Sequence, residues 1–230
     1  ASSTTYVTGM AVVKTCETLR KKICERGAEY LGCSPDDVEF DGEKVVNLKT
    51  KEEITRKEIG NKVMCSSNAP LSATEAFSSP VSPPPFMVGI AEVEIDKETG
   101  VVEPIDYAAV VDCGTVVNPN LARVQTEGGI AQGIGMALYE DIIYSEKGKN
   151  YSNSFMQYKI PSRLDVGEIR VEFESSYEPT GPFGAKSIGE IVINTPSPAI
   201  SNAVQNAVGV IVRELPITAE KVYKGMAEKE

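Results

Sequence analysis

The sequence predicts an α+β protein in which mixed sheets are flanked by helices and the chain divides into two lobes, 1–85 and 86–230. Three observations carry that prediction. Apolar residues recur at three- and four-residue spacing near the start, and they alternate with acidic residues at 91–96. Between these patterns, the run from Cys65 to Pro85 holds five prolines and six serines, a composition that suits neither a helix nor a central strand.

The first helix is expected over 8–31. Met10, Val13, Cys16, Leu19 and Ile23 form its apolar stripe, Lys14, Arg20, Lys21 and Lys22 fall mostly off it, and Gly32 supplies a stop. Residues 38–48 predict short strands turned at Asp41-Gly42, and 51–64 a weaker helix. The Pro/Ser-rich run is a loop of about 20 residues, a length that either carries function or covers a surface lying elsewhere. Ala91, Val93 and Ile95 alternate with Glu92, Glu94 and Asp96, the turn DKETG follows, and 105–111 returns as the second strand of a hairpin.

Asn118-Pro119 opens a helix over 119–139. Val124, Ala131, Ile134 and Leu138 are its expected apolar stripe, and Gln125, Gly128, Gly129 and Gln132 share another face. Gly128, Gly129, Gly133 and Gly135 oppose this helix by about 3–4 kcal/mol in total. Either close helix packing or the approach of a ligand must require the missing side chains. Strands are expected at 142–144, 155–160 and 169–174, then the glycine-rich run GPFGAKSIGE from Gly181 to Glu190. A buried helix over 198–213, capped by Ser197, and a short helix from Thr218 complete the pattern.

Composition narrows the chemistry. With 23 Lys+Arg against 33 Asp+Glu the net charge is -10, and no basic cluster offers a nucleic-acid surface. The chain has no histidine, which excludes Ser-His-Asp and Cys-His triads and any His-ligated zinc site. Its five cysteines form no CxxC pair and are odd in number, so neither a disulfide framework nor a four-cysteine metal site is expected, and a reducing cytoplasm fits best. No apolar run reaches the roughly 18 residues needed to cross a bilayer. An opening at Ala1 without a preceding Met fits a section of something longer.

Two readings of the Gly181–Glu190 run are chemical. Its Gly-Ala-Lys-Ser ending approaches a phosphate loop, but that pattern needs Gly directly before Lys, and Ala185 intervenes. The other focus is Glu190, between Gly189 and the apolar run Ile191, Val192 and Ile193. A carboxylate in that setting is expected to be partly desolvated, which raises its pKa and suits it to general-base work.

GAKSIGE at 184–190, QTEGGIAQGIGMALYE at 125–140, VVDCGTVVNP at 110–119 and AEVEIDKETG at 91–100 occur in the order and approximate spacing of the molybdenum-binding region of the xanthine dehydrogenase and aldehyde oxidase family. The opening ASSTTYVTGMAV also resembles that family's stretch before its long helix. The resemblance covers nearly the whole chain and implies a two-lobed molybdopterin-binding domain.

The resemblance also implies roles. Glu190 matches the family's catalytic base, which takes a proton from the molybdenum-bound hydroxyl as its oxygen attacks an electron-poor carbon and hydride passes to a sulfido group. Gln125 matches a residue that contacts the pterin, and Ala1, Ser2, Ser3 and Thr4 match the loop that holds the cofactor near its dithiolene. Lys186 and Gly189 would shape the approach to the base, and Gly128 and Gly129 would allow close passage. The metal would be held by the pterin dithiolene, with no protein ligand. The remainder of the molybdenum-binding subunit, 2Fe-2S and FAD domains or subunits, and a small-molecule substrate are the implied partners. The implied reaction is hydroxylation of an N-heterocycle, xanthine-like or nicotinate-like. An aldehyde oxidoreductase of the same family and a cofactor-free structural or binding module derived from it are the alternatives.

Overall fold

The computed structural model describes residues 3–66, 70–79 and 81–228. The chain forms two compact units, Thr4–Pro80 and Val81–Glu230.

In the first unit, a π-helical turn at Thr4–Thr8 leads into α1 (Gly9–Leu31). Gly32 ends α1 in the left-handed region, where its N–H bonds back to the Ala28 and Glu29 carbonyls. Three antiparallel strands follow in the order β1 (Val38–Phe40), β2 (Lys44–Asn47) and β3 (Glu53–Thr55), then α2 (Arg56–Met64). Ile23 of α1, Val45 and Ile54 of the sheet, and Ile59 and Val63 of α2 form the core. The helix expected over 51–64 is shorter than its pattern suggested. Ile54 pairs with Val45 and is buried as strand, and α2 starts only at Arg56, just after its N-cap Thr55, which forms a capping box with Glu58.

The described Pro/Ser-rich residues 70–79 form neither helix nor strand, and they lie along α1. The Lys22 ammonium donates to the Ser72 carbonyl at 2.7 Å, the Thr18 hydroxyl donates to Glu75 at 2.8 Å, and Lys14 sits 4.9 Å from the Phe77 ring centroid.

The second unit is built on a three-stranded mixed sheet of β4 (Phe86–Ile95), β5 (Val102–Asp112) and β6 (Glu168–Phe173). β4 and β5 are the antiparallel hairpin, and β5 and β6 are parallel, joined by a connection that contains α3 (Pro119–Leu138). After β6 come α4 (Ile191–Asn194), α5 (Pro196–Val208) and α6 (Ala219–Ala227). Tyr107, Ala109 and Val171 of the sheet are buried in one cluster with Ile130 and Ile134 of α3 and Ile200 and Val204 of α5. The other sheet face is open: Phe86 is 61% and Ile90 67% exposed, and Val88 and Val110 are exposed beside them.

Several expected elements differ from those formed. Residues 142–144 and 155–160 form no strand; an isolated bridge pairs Tyr144 with Asn150, and no neighbouring strand completes a ladder. The helix expected over 198–213 starts at Pro196 and stops at Val208, because Gly209 turns left-handed (φ +71°). On α3 the buried stripe is Ile130, Ile134, Ala137 and Leu138, and Val124 is exposed. The faces that α3 presents to α5 and β6 set that stripe, a choice that spacing alone left open.

Candidate functional site

The Gly181–Glu190 run is neither helix nor strand beyond one 3-10 turn at Pro182–Gly184, yet it is tightly held. Gly114 and Ala185 form an antiparallel bridge, the Thr115 and Glu178 amides donate to the Gly184 carbonyl, and the Lys186 amide donates to the Cys113 carbonyl at 2.7 Å. This fastens the run to the segment leaving β5. Gly114 makes the approach possible: it has φ +69°, and an added Cβ would collide with the Gly184 carbonyl.

The Lys186 side chain is 7% exposed and pairs with Asp112 at 2.7 Å. Asp112 also accepts the Ser176 hydroxyl at 2.6 Å and the Gly114 amide at 2.9 Å. Burial alone would raise the Asp112 carboxyl, but these donors outweigh it and hold it below its ordinary value. The Phe86 ring centroid lies 5.3 Å from the same ammonium. Burial pushes the neighbouring Cys113 thiol up, as suits an inert structural cysteine.

Past Lys186, Ile188 packs onto a small cluster of Val111, Cys113 and Val192, and Ile191 packs there too. Gly189 and Glu190 form the turn between these anchors, and the Glu190 carbonyl accepts the first bond of α4 from the Ile193 amide at 3.2 Å. The expected desolvation of Glu190 is not found: the residue is exposed. The apolar residues after it form a helical turn and not a strand, so Val192 points inward and is fully buried while Glu190 stays at the surface.

The glycines of α3 divide by purpose. An added Cβ on Gly129 would collide with Val192 of α4, and one on Gly133 would come within 2.6 Å of Pro196, so both permit close helix packing. Gly128 is different, since nothing lies within 4 Å of an added Cβ. It is exposed, as are Gln125 and Gln132 on the same face. Of the expected cofactor loop, Ser3 and Thr4 are exposed, with Thr4 in the π-helical turn of the first unit, and Ala1 and Ser2 lie outside the described residues. Asp112 and Ser176 were not singled out by sequence. The acidic residue in VVDCG was a signal for the first, while Ser176 lies 64 residues from Asp112 and carried none.

Within the second unit the donor set is therefore an open glycine notch bordered by two primary amides, which both donate and accept hydrogen bonds. Among the described residues no three His, Cys, Asp or Glu side chains come together as a metal-holding group. An organic cofactor that brings its own metal ligands is chemically compatible with such a set.

The second unit therefore presents an acidic turn held between buried anchors and an exposed helix face that carries two primary amides. The molybdopterin cofactor-binding domain matches residues 1–167, and the chain belongs to that family. It is 35% identical over 231 residues to the probable hypoxanthine oxidase XdhD of Escherichia coli K12, covering 98% of this chain and 24% of that protein. It is 30% identical to the gamma subunit of the 6-hydroxypseudooxynicotine dehydrogenase complex of Paenarthrobacter nicotinovorans, covering 97% of this chain and 29% of that one. Among solved structures, quinoline 2-oxidoreductase of Pseudomonas putida 86 superimposes with a TM-score of 0.86 at 26% identity, covering 99% of this chain and 30% of that chain. The chain thus spans roughly a quarter to a third of the length of these relatives.

Proposed function

We propose that this chain is the section of a molybdenum hydroxylase subunit that carries the general base and part of the pterin site. The observation that carries the proposal is the setting of Glu190: an accessible carboxylate whose backbone is fixed on one side by Lys186 and Ile188 and on the other by Ile191 and Val192. A base must be both reachable and immobile, because proton transfer depends on geometry first. When bound, the cofactor supplies the oxygen-transfer and two-electron chemistry. Glu190 would accept and hold a proton at its carboxylate, Gln125 would hydrogen-bond the pterin, and the Gly128 notch would let the pterin approach the helix. Ser3 and Thr4, with Ala1 and Ser2, belong to the proposed cofactor loop.

The substrate proposed is an electron-poor carbon of a nitrogen heterocycle. Relatives named for hypoxanthine, 6-hydroxypseudooxynicotine and quinoline support that choice, while relatives named as aldehyde oxidoreductases are the basis of the alternative. Partnership with the rest of a molybdenum-binding subunit, and through it with 2Fe-2S and FAD modules, is supported by the open apolar sheet face at Phe86, Val88 and Ile90 and by exposed Phe155, Met156 and Leu164. A cytoplasmic location is supported by five cysteines that are all unpaired.

The test is Glu190→Gln in the assembled enzyme, assayed with purine, pyridine and aldehyde substrates. Turnover on a heterocycle should fall by about 10²–10⁴ with molybdenum content unchanged. Near-parental turnover at full molybdenum content would place the base elsewhere, and preferred turnover of aldehydes by the parent would overturn the heterocycle assignment.

A further inference from the structure

The buried charges Asp112 and Lys186 lie outside the chemistry assigned to Glu190, yet they are 74 residues apart in sequence and converge just before the turn that carries it. Ion pairs at a protein surface hold little, because water screens them and the side chains are free. This pair differs: the ammonium is withdrawn from water, the carboxylate is largely so, and three donors converge on the carboxylate. If one partner is removed, the other is left buried without its counter-charge, so the pair holds the loop in one arrangement.

The position of the pair along the chain gives it leverage. Lys186 precedes Glu190 by four residues, and its backbone amide is itself tied to the strand exit at the Cys113 carbonyl. On the far side of Glu190, fully buried Val192 fills the notch at Gly129. Glu190 is therefore carried on a short span between a polar anchor and an apolar one.

Resting on the assignment of Glu190 as the base, we propose that Asp112, Lys186 and Ser176 form a positioning cluster that sets where the Glu190 carboxylate stands. They touch neither substrate nor cofactor in this role and act only through the backbone of the 184–191 segment.

The test uses the assembled holoenzyme with Lys186→Met, the double variant Asp112→Asn/Lys186→Met, and the milder Ser176→Ala, each with and without Glu190→Gln. Molybdenum content, kcat and KM separately, and amide hydrogen exchange across 184–191 are measured. Lys186→Met should lower kcat about 10-fold to 100-fold, the scale of an ångström of misplacement, with KM and metal content unchanged. Exchange in the segment should quicken, and Ser176→Ala should move both readouts less in the same direction. In the Glu190→Gln background none of these changes should lower kcat further, because the group they position is gone. If Lys186→Met fails to assemble, the double variant and Ser176→Ala carry the same expectations. Parental kcat and exchange in these variants, with Glu190→Gln inactive, overturns the positioning role alone. An equal further loss of kcat in the Glu190→Gln background also overturns it, since the cluster would then act elsewhere. Parental turnover in Glu190→Gln by itself overturns the base assignment.

Discussion

Gly128 and Gly129 are adjacent on α3 and chemically identical, so the pair Gly128→Ala and Gly129→Ala isolates what tertiary packing does to one methyl group. Both changes gain the same helix propensity, about 1 kcal/mol. At Gly128 nothing lies within 4 Å of the new Cβ, so the gain is kept and the variant should be more stable than the parent. At Gly129 the new Cβ would collide with Val192 Cγ2 and stand 3.1 Å from Val192 Cβ. A rotamer change moves the first atom but not the second, and Val192 is fully buried, so α4 itself must shift. Overpacking of this kind costs about 1–3 kcal/mol. Propensity cancels between the two variants, so this cost is their expected difference, and it corresponds to roughly 2–12 °C in melting temperature for a chain of this size. Thermal melting followed by far-UV circular dichroism reads the difference directly. Molybdenum content adds a second axis: Gly128→Ala, the more stable variant, should hold less cofactor if the notch admits the pterin. A Gly129→Ala protein as stable as Gly128→Ala would refute the reasoning, because Val192 would then not be fixed against α3.

Two further outcomes are expected. Gln125→Ala should weaken cofactor retention by about 1–3 kcal/mol, the cost of an unmet buried hydrogen bond, and metal analysis after dialysis checks it; full molybdenum occupancy would remove Gln125 from the pterin site. The Asp112 carboxyl is held below its ordinary value of 3.8, so its contribution to stability is complete above that value and is lost as pH falls through the depressed one. Urea midpoints measured from pH 5 downward should therefore fall less steeply in Asp112→Asn/Lys186→Met than in the parent, and equal slopes would show that the pair does not contribute.

The elements legible in advance were those whose signals are local. The stripe from Met10 to Ile23 with Gly32 after it, the alternation at 91–96, and the helix starts at Asn118-Pro119 and Thr218 each act over a few residues and each marks an element that forms, whereas the expected cap Ser197 lies inside α5, whose N-cap position is Thr195. The elements that failed to form lacked partners instead of propensity. The apolar residues at 142–144 and 155–160 are suited to strands, but a strand needs a ladder, and no neighbour supplies one. The candidate site was legible as a list of residues more than as an arrangement. Glu190, Gln125 and Lys186 were all marked in advance, but the exposure of Glu190 and the burial of Lys186 were not.

By itself the sequence determined the α+β class, the hairpin, the three long helices and the family, because periodicity, caps and ordered motifs are properties of neighbours along the chain. Only the tertiary structure decided why α3 carries glycines, since packing at Gly129 and open space at Gly128 depend on whether α4 crosses there. It alone joined Asp112 to Lys186 and Ser176, separations of 74 and 64 residues that no local signal spans. The physical reason is the same in both cases. A buried methyl or a buried charge takes its energy from what folding brings against it, and that neighbour is chosen by the closure of the whole unit.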